Sequence, residues 1–218
     1  YSDQANADSC KTCPAGKHQP SEKALFCNDC APGRFGRGSV NQTAAAYCNH
    51  CVAGQIQTLS AQTTCVSCEA AARYQPEEGQ TVCLAVKKCQ QGTFESAAPV
   101  PSTDRKCDDC PAGKYSDAEE ATACKDCDGT EFQDLLGQSS CRARTDCLVG
   151  TVVTRAPSAT ADRLCADCPT GQFTHFKNGV GCFGCAAGRY QDIPGQSSCT
   201  SCAAGKSGNA STANATSE

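Results

Sequence analysis

The cysteines constrain this chain more than any other feature. Twenty-two of them fall into eleven pairs along 218 residues. Nine pairs are C-x2-C: Cys10/Cys13, Cys27/Cys30, Cys48/Cys51, Cys65/Cys68, Cys107/Cys110, Cys124/Cys127, Cys165/Cys168, Cys182/Cys185 and Cys199/Cys202. Two are C-x5-C, Cys83/Cys89 and Cys141/Cys147. Between one pair and the next lie 13, 14 or 17 residues. A regular period of this kind marks a repeat array, in which each module is one small unit stacked on its neighbours.

Composition says what must hold such modules together. Leu, Ile, Val and Phe number 26 of 218, and Trp and Met are absent. That is below the roughly 20% at which a chain supports its own apolar core. Without cysteine, the buried apolar surface would not offset chain entropy. Closing a 15-residue loop with a disulfide contributes about 3 kcal/mol in the chain-entropy model, and ten such loops replace the missing core. The expected fold class is therefore small disulfide-rich repeats. It is an elongated rod of stacked short-strand and turn modules, with little regular secondary structure and no helical domain.

The short module reads Cys110-Pro-Ala-Gly-Lys-Tyr-Ser-Asp and closes at Cys124, with relatives opening at Cys13, Cys30, Cys168 and Cys185. The closing half is often Gly-Gln-[Ser/Thr]-x-Cys, as at Gly79 to Cys83, Gly137 to Cys141 and Gly195 to Cys199. A longer period is superposed. Cys48, Cys107 and Cys165 each close a 17-residue gap, 59 and 58 residues apart, and each is followed by two shorter gaps. Two long units share an ending, Ser102-Thr-Asp-Arg-Lys-Cys107 and Thr160-Ala-Asp-Arg-Leu-Cys165. Each C-x5-C pair precedes a long unit. The organisation that follows is a polar segment at 1–9, first cysteine-rich repeats at 10–89, a second super-repeat at 90–147, a third at 148–206, and a Ser/Thr/Asn-rich glycosylated linker at 207–218.

A glycine followed two residues later by an aromatic recurs at Gly33/Phe35, Gly92/Phe94, Gly113/Tyr115, Gly171/Phe173 and Gly188/Tyr190. The glycine is expected to take positive φ in a turn after the cysteine pair. The ring is expected to cover the adjacent disulfide and act as a miniature core. No amphipathic helix of useful length is visible, and Leu135-Leu136 is the only paired aliphatic in its neighbourhood.

Disulfides at this density belong in an oxidising compartment. Three acceptor sequons agree, at Asn41, Asn209 and Asn214. No initiator Met and no apolar run approaching a signal peptide or membrane span is present, so the expectation is a mature ectodomain or part of one. The net charge of −4 is spread singly, which argues against nucleic acid as a partner.

Even spacing favours a sequential disulfide scheme, in which the second cysteine of each pair joins the first of the next. That gives Cys13–Cys27, Cys30–Cys48, Cys51–Cys65, Cys68–Cys83, Cys89–Cys107, Cys110–Cys124, Cys127–Cys141, Cys147–Cys165, Cys168–Cys182 and Cys185–Cys199. A rival scheme interlocks neighbouring pairs, first with first and second with second, and strands one pair of the eleven; spacing alone leaves both open. The sequential scheme leaves Cys10 and Cys202 over. Either the chain is a window onto a longer array, or these two meet between neighbouring copies.

Other chemistries fit less well. C-x2-C at 15–20 residues is zinc-ribbon spacing, but the 13- and 14-residue gaps and the C-x5-C pairs depart from it. A thiol–disulfide oxidoreductase needs a C-x-x-C at a helix start, and that context is missing. His18, His50 and His175 lie in different modules, and His18 stands at the aromatic position of its repeat. A calcium-loop frame on Asp126-Cys-Asp128 places Leu135, not Glu, near its closing position. Asp108/Asp109 and Glu119/Glu120 read as solvated turn residues. No catalytic residue, cofactor site or metal site is expected.

The Cys-Pro-Ala-Gly-Lys-Tyr-Ser and Gly-Gln-Ser-Ser-Cys phrases resemble ephrin-receptor-like cysteine-rich repeats. The Thr-x-Asp-Arg-x-Cys-x-x-Cys ending resembles modules of tumour-necrosis-factor-receptor type. The resemblance spans residues 10 to about 206. It implies disulfide-laddered ectodomains in which a C-x2-C pairs backward through its first cysteine and forward through its second. The array is also similar to those of large surface proteins of protists and algae, filament-forming ones among them. The C-x5-C pairs and near-uniform units depart from the receptor pattern of mixed modules. The leading expectation is thus an extracellular structural glycoprotein, part of a cell-surface or flagellar-type filament or matrix. Its partners would be copies of itself or other filament proteins, and N-linked and O-linked glycans, with no membrane within this segment. The alternative is a receptor ectodomain binding a protein ligand.

Overall fold

The computed structural model describes residues 11–19, 21, 24–37, 47–69 and 72–207. Among them, twenty short strands form ten two-stranded antiparallel sheets, and there is no helix. These are small disulfide-rich modules of strand and turn, as the composition dictates. The chain divides into two units, residues 1–89 with 95–108, and residues 90–94 with 109–218.

The C-x2-C spacing has a direct structural meaning. Its two inner residues are themselves a strand: Asn28–Asp29 pairs with Lys17–His18, and Val66–Ser67 pairs with Gln55–Ile56. Successive side chains on a strand point to opposite faces. Cysteines three residues apart therefore face opposite ways, one back to the module just closed and one on to the next. Ten disulfides follow this course, from Cys13–Cys27 to Cys185–Cys199.

The 17-residue gaps make room for longer hairpins. Thr151–Arg155 pairs with Leu164–Asp167 across a register shift between Val153 and Arg155. The C-x5-C pairs begin with the same two-residue strand, Leu84–Ala85 or Arg142–Ala143, and then add three residues before the next cysteine. Those three are gripped by the Asp-Arg ending of the following long unit. Asp104 Oδ1 accepts from the amides of Lys87 (3.0 Å) and Arg105 (2.7 Å), and Arg105 Nη1 donates to Lys87 O. Asp162 repeats this with Thr145 (2.9 Å) and Arg163 (2.7 Å), and Arg163 Nη1 donates to Thr145 O. The stretched pair and the shared ending are two halves of one device.

The core is sulfur. Apart from Phe132, every buried residue of the hydrophobic class among the described residues is a cysteine, and Cys30, Cys51, Cys110 and Cys168 are 0% exposed. The aromatics at Phe35, Phe94, Tyr115, Phe173 and Tyr190 are only half-buried, which corrects the expectation that the ring forms each module's core. The enclosed group is the polar residue that follows the ring: Gln57, Gln75, Ser116, Gln133, Thr174 or Gln191. Each glutamine acts as a clasp. Gln133 Nε2 donates to Ser140 O (2.8 Å) while its Oε1 accepts from the Leu135 amide (3.1 Å). Gln57, Gln75 and Gln191 repeat both bonds at the same offsets. A buried amide with both ends paired is stable where an unpaired one would be costly.

Gly33, Gly92, Gly113, Gly171 and Gly188 have φ between 75 and 84°, in line with the turn expected of them. Their backbone joins module to module. In the first unit Gly16, Gly33 and Gly54 donate to the carbonyls of Gly36, Gln57 and Gln75 in the next module, at 2.7–2.9 Å. In the second, Gly92, Gly113, Gly150 and Gly171 donate to Ser116, Gln133, Thr174 and Gln191 at 2.6–2.8 Å. Each of these seven glycines also accepts, through its own carbonyl, from the cysteine that opens the next module. The backbone approaches closely two modules on as well: a Cβ on Gly33 would lie 2.0 Å from Gly79 O, and one on Gly150 2.0 Å from Gly195 O.

Candidate functional site

One module departs from the others on its surface. Residues 168–182 match 110–124 in length, but His175, Phe176, Lys177, Asn178 and Val180 stand where the earlier module has Asp117, Ala118, Glu119, Glu120 and Thr122. A polar turn has become an aromatic one. Lys125 of the earlier module is likewise replaced by Phe183.

The strand pairing sets Phe173 directly opposite Phe183, with ring centroids 6.1 Å apart. His175 lies 4.0 Å from Phe176 and 6.0 Å from Phe183, and Phe176 lies 5.8 Å from Phe183. These separations and tilts suit aromatic pairs. The cluster nevertheless faces solvent: Phe176 is 51% exposed, Phe183 47% and Val180 90%. A cavity of about 440 Å³ opens between them, bounded by residues 176–183.

The loop beneath is held firmly. Thr174 is fully buried, and its Oγ1 accepts from the Phe176 amide at 3.4 Å. Asn178 takes φ 58°, a conformation asparagine tolerates better than most residues. Its Oδ1 accepts from the Cys147 amide (2.9 Å) and Arg163 Nη1 (2.6 Å), and its Nδ2 donates to Asp146 Oδ1 (3.0 Å). Lys177 Nζ reaches Asp146 at 2.7 Å. Hydrogen bonds from Lys177 and Asn178, with the charge of Lys177 and a further bond from Arg163, hold the Asp146 carboxyl down at about 2. Polar groups thus anchor the loop to the preceding long hairpin, where Val153 also donates to Gly179 O at 2.8 Å. The apolar side chains are left outward. A firmly held apolar surface of this kind is suited to contact with another macromolecule.

The twenty cysteines of the sequential scheme lie in the ten disulfides described above and carry no thiolate. Cys202 is a free thiol, and its amide donates to Gly188 O (2.9 Å) as the other opening cysteines do to theirs. Cys10 and the sequon residues Asn41, Asn209 and Asn214 lie outside the described residues. His18 Nδ1 is 3.3 Å from Cys48 Sγ, so an aromatic-position side chain does meet the next module's disulfide there. His50 packs over Gly79, and His175 joins the aromatic cluster. Asp108 bonds with Lys106 and, together with a hydrogen bond from Ser96, this lowers its pKa. Asp128 accepts from the Thr130 amide and hydroxyl in a local turn.

Sequence reasoning passed over the glutamine clasp, although Gln after the ring or Ile at 57, 75, 133 and 191 was its visible signal. It also passed over the Asp146–Arg163–Asn178 knot, whose members come from three separated segments. No described helix is long and apolar enough to cross a membrane. Disulfides at this density fit an extracellular protein. No protein-family model matches the chain, and no curated protein matches it in sequence.

Proposed function

We propose that the protein is an extracellular structural glycoprotein, a stiff segment of a cell-surface filament or matrix, whose partners are further copies of itself or other filament proteins. The observation that carries this reading is the glycine-borne ladder. Every opening turn from Gly16 to Gly171 that takes part bonds to the next module through backbone alone, so the connection is independent of side-chain identity. Solenoid stability of this kind is a sum of module and neighbour terms, and a covalent rung within each module resists extension. Glycans at Asn41, Asn209 and Asn214 would keep the surface hydrated. Electron microscopy of the purified, secreted chain tests the proposal. Filaments or ordered lateral arrays with a spacing tied to the 58-residue super-repeat are expected. Uniform isolated particles across a wide concentration range would refute it.

The aromatic surface at Phe176, Val180 and Phe183 favours a second reading, a receptor ectodomain with one protein-binding patch. The triple change Phe176→Ser, Val180→Ser, Phe183→Ser separates the two. Assembly that survives the change while binding of a different protein is lost supports the receptor; loss of self-assembly supports the structural role.

A further inference from the structure

His18 is the one imidazole among side chains that occupy the ring position of a module, and it lies against a disulfide. Its Nδ1 is 3.3 Å from Cys48 Sγ, and the ligand atoms of His18, Cys30 and Cys48 all fall within 4.8 Å of one another. In a tetrahedral zinc site, bonds of about 2.0 Å to nitrogen and about 2.3 Å to sulfur set nitrogen and sulfur roughly 3.5 Å apart. The observed 3.3 Å is close to that separation. The sulfurs, now joined, need only part from each other by rotation of two side chains.

The three backbones are pinned without help from the disulfide. His18 lies in a strand paired with Asn28–Asp29. The Cys30 amide donates to Gly16 O at 2.8 Å, two residues before His18. Arg34 Nη1 donates to Cys48 O at 3.1 Å, and Arg34 itself pairs with His50 in the adjoining strands. Cys30 and Cys48 are 0% and 5% exposed, while His18 is half-buried and reaches solvent. Such a site is dry around its sulfurs and open on its imidazole side.

We propose that reduction of Cys30–Cys48 creates a Cys2His site for zinc, with His18, Cys30 and Cys48 as protein ligands and water as the fourth. A dithiol reductant breaks the S–S bond, supplies two electrons and two protons, and is itself oxidised to its disulfide. Zinc then binds the two sulfurs and the imidazole, and the two thiol protons leave to solvent. The remaining nine rungs keep the modules in place.

The test uses the full chain and a phosphine in place of the dithiol, because the phosphine competes less for the metal. The phosphine becomes its oxide with an oxygen from water, whose two hydrogens pass to the thiols. Samples are reduced stepwise, alkylated with and without zinc, and mapped by mass spectrometry. At the step where Cys30 and Cys48 are free, zinc is expected to slow their alkylation at least 10-fold and to remain bound one per chain in native mass spectra. His18→Phe, which restores the ring found elsewhere in the array, should lower zinc affinity at least 10-fold; His18→Gln should do the same. Peptide mapping of the oxidised variants shows that each still carries all ten disulfides. Zinc protection that is absent, or equal in wild type and variants, overturns the proposal. So does a rung that opens only together with Cys13–Cys27 or Cys51–Cys65.

Discussion

Gly150→Ala and Gly188→Ala form a matched pair that isolates what module stacking contributes. Both glycines open a turn, with φ of 88° and 79°. A left-handed backbone costs an L-residue roughly 1–2 kcal/mol, offset in part by the lower chain entropy of alanine in the unfolded state. The shared loss is therefore about 1 kcal/mol. The two positions then diverge. A Cβ at 150 would lie 2.0 Å from Gly195 O, two modules on, whereas at 188 no heavy atom lies within 4 Å. Relieving the contact at 150 means moving a backbone carbonyl by more than an ångström, comparable to overpacking a core at about 2 kcal/mol. That difference is roughly 30-fold in a local opening constant. Heat is a poor probe, since cross-linked repeats need not unfold in two states, so amide hydrogen exchange is the assay. The Cys168 amide, which donates to Gly150 O, should lose protection about 30-fold more in G150A than the Cys202 amide, which donates to Gly188 O, loses in G188A. The Gly195 amide, bonded to Cys168 O, should loosen with it. Equal losses in the two variants would sink the idea that the close approach across two modules holds them in register.

Two further outcomes follow from the same contacts. Gln133→Ala leaves the Leu135 amide and the Ser140 carbonyl without their partner beside a buried site, so exchange at Leu135 should rise by the equivalent of about 1–3 kcal/mol; exchange unchanged from wild type would show that water replaces the clasp at no cost. The Asp146 carboxyl is held from 3.8 down to about 2, first by the hydrogen bond from Lys177 and then by that from Asn178. Because the folded value is the lower one, the contribution is complete above pH 3.8 and is lost as pH falls toward about 2. Exchange at the Asn178 amide, which donates to Cys147 O, should therefore accelerate over that window in wild type and show no such inflection in Asp146→Asn.

Much of the module was legible because its logic is local. An odd separation of three residues turns paired cysteines to opposite faces of a strand, and the gap length sets the size of the hairpin between rungs. Glycine after the pair marks the turn because no other residue takes that backbone cheaply. The sulfur core follows from composition, since Leu, Ile, Val and Phe are too few to make another. The misreading of the aromatic position has a physical source: a module of about 15 residues is too thin to enclose a ring on all sides, while an amide that bonds at both ends fits inside a turn. What residue enclosed it could not be read from hydrophobic pattern, because the buried residue is polar.

The sequence by itself thus determined the period, the sulfur core, the turn glycines and the extracellular chemistry of the chain, all set by separations of a few residues. Only the tertiary structure decided which atoms of distant modules meet. The ladder from Gly33 to Gln57, the approach of Gly150 to Gly195, the knot that joins Asp146 to Asn178, and the imidazole of His18 on Cys48 all depend on how far one module turns relative to the next. That turn is the summed result of many backbone angles, and no local pattern records it. The exposed face of Phe176, Val180 and Phe183 has the same origin: their apolar character is written in the chain, but the loop's anchoring to the preceding hairpin is what leaves them facing water.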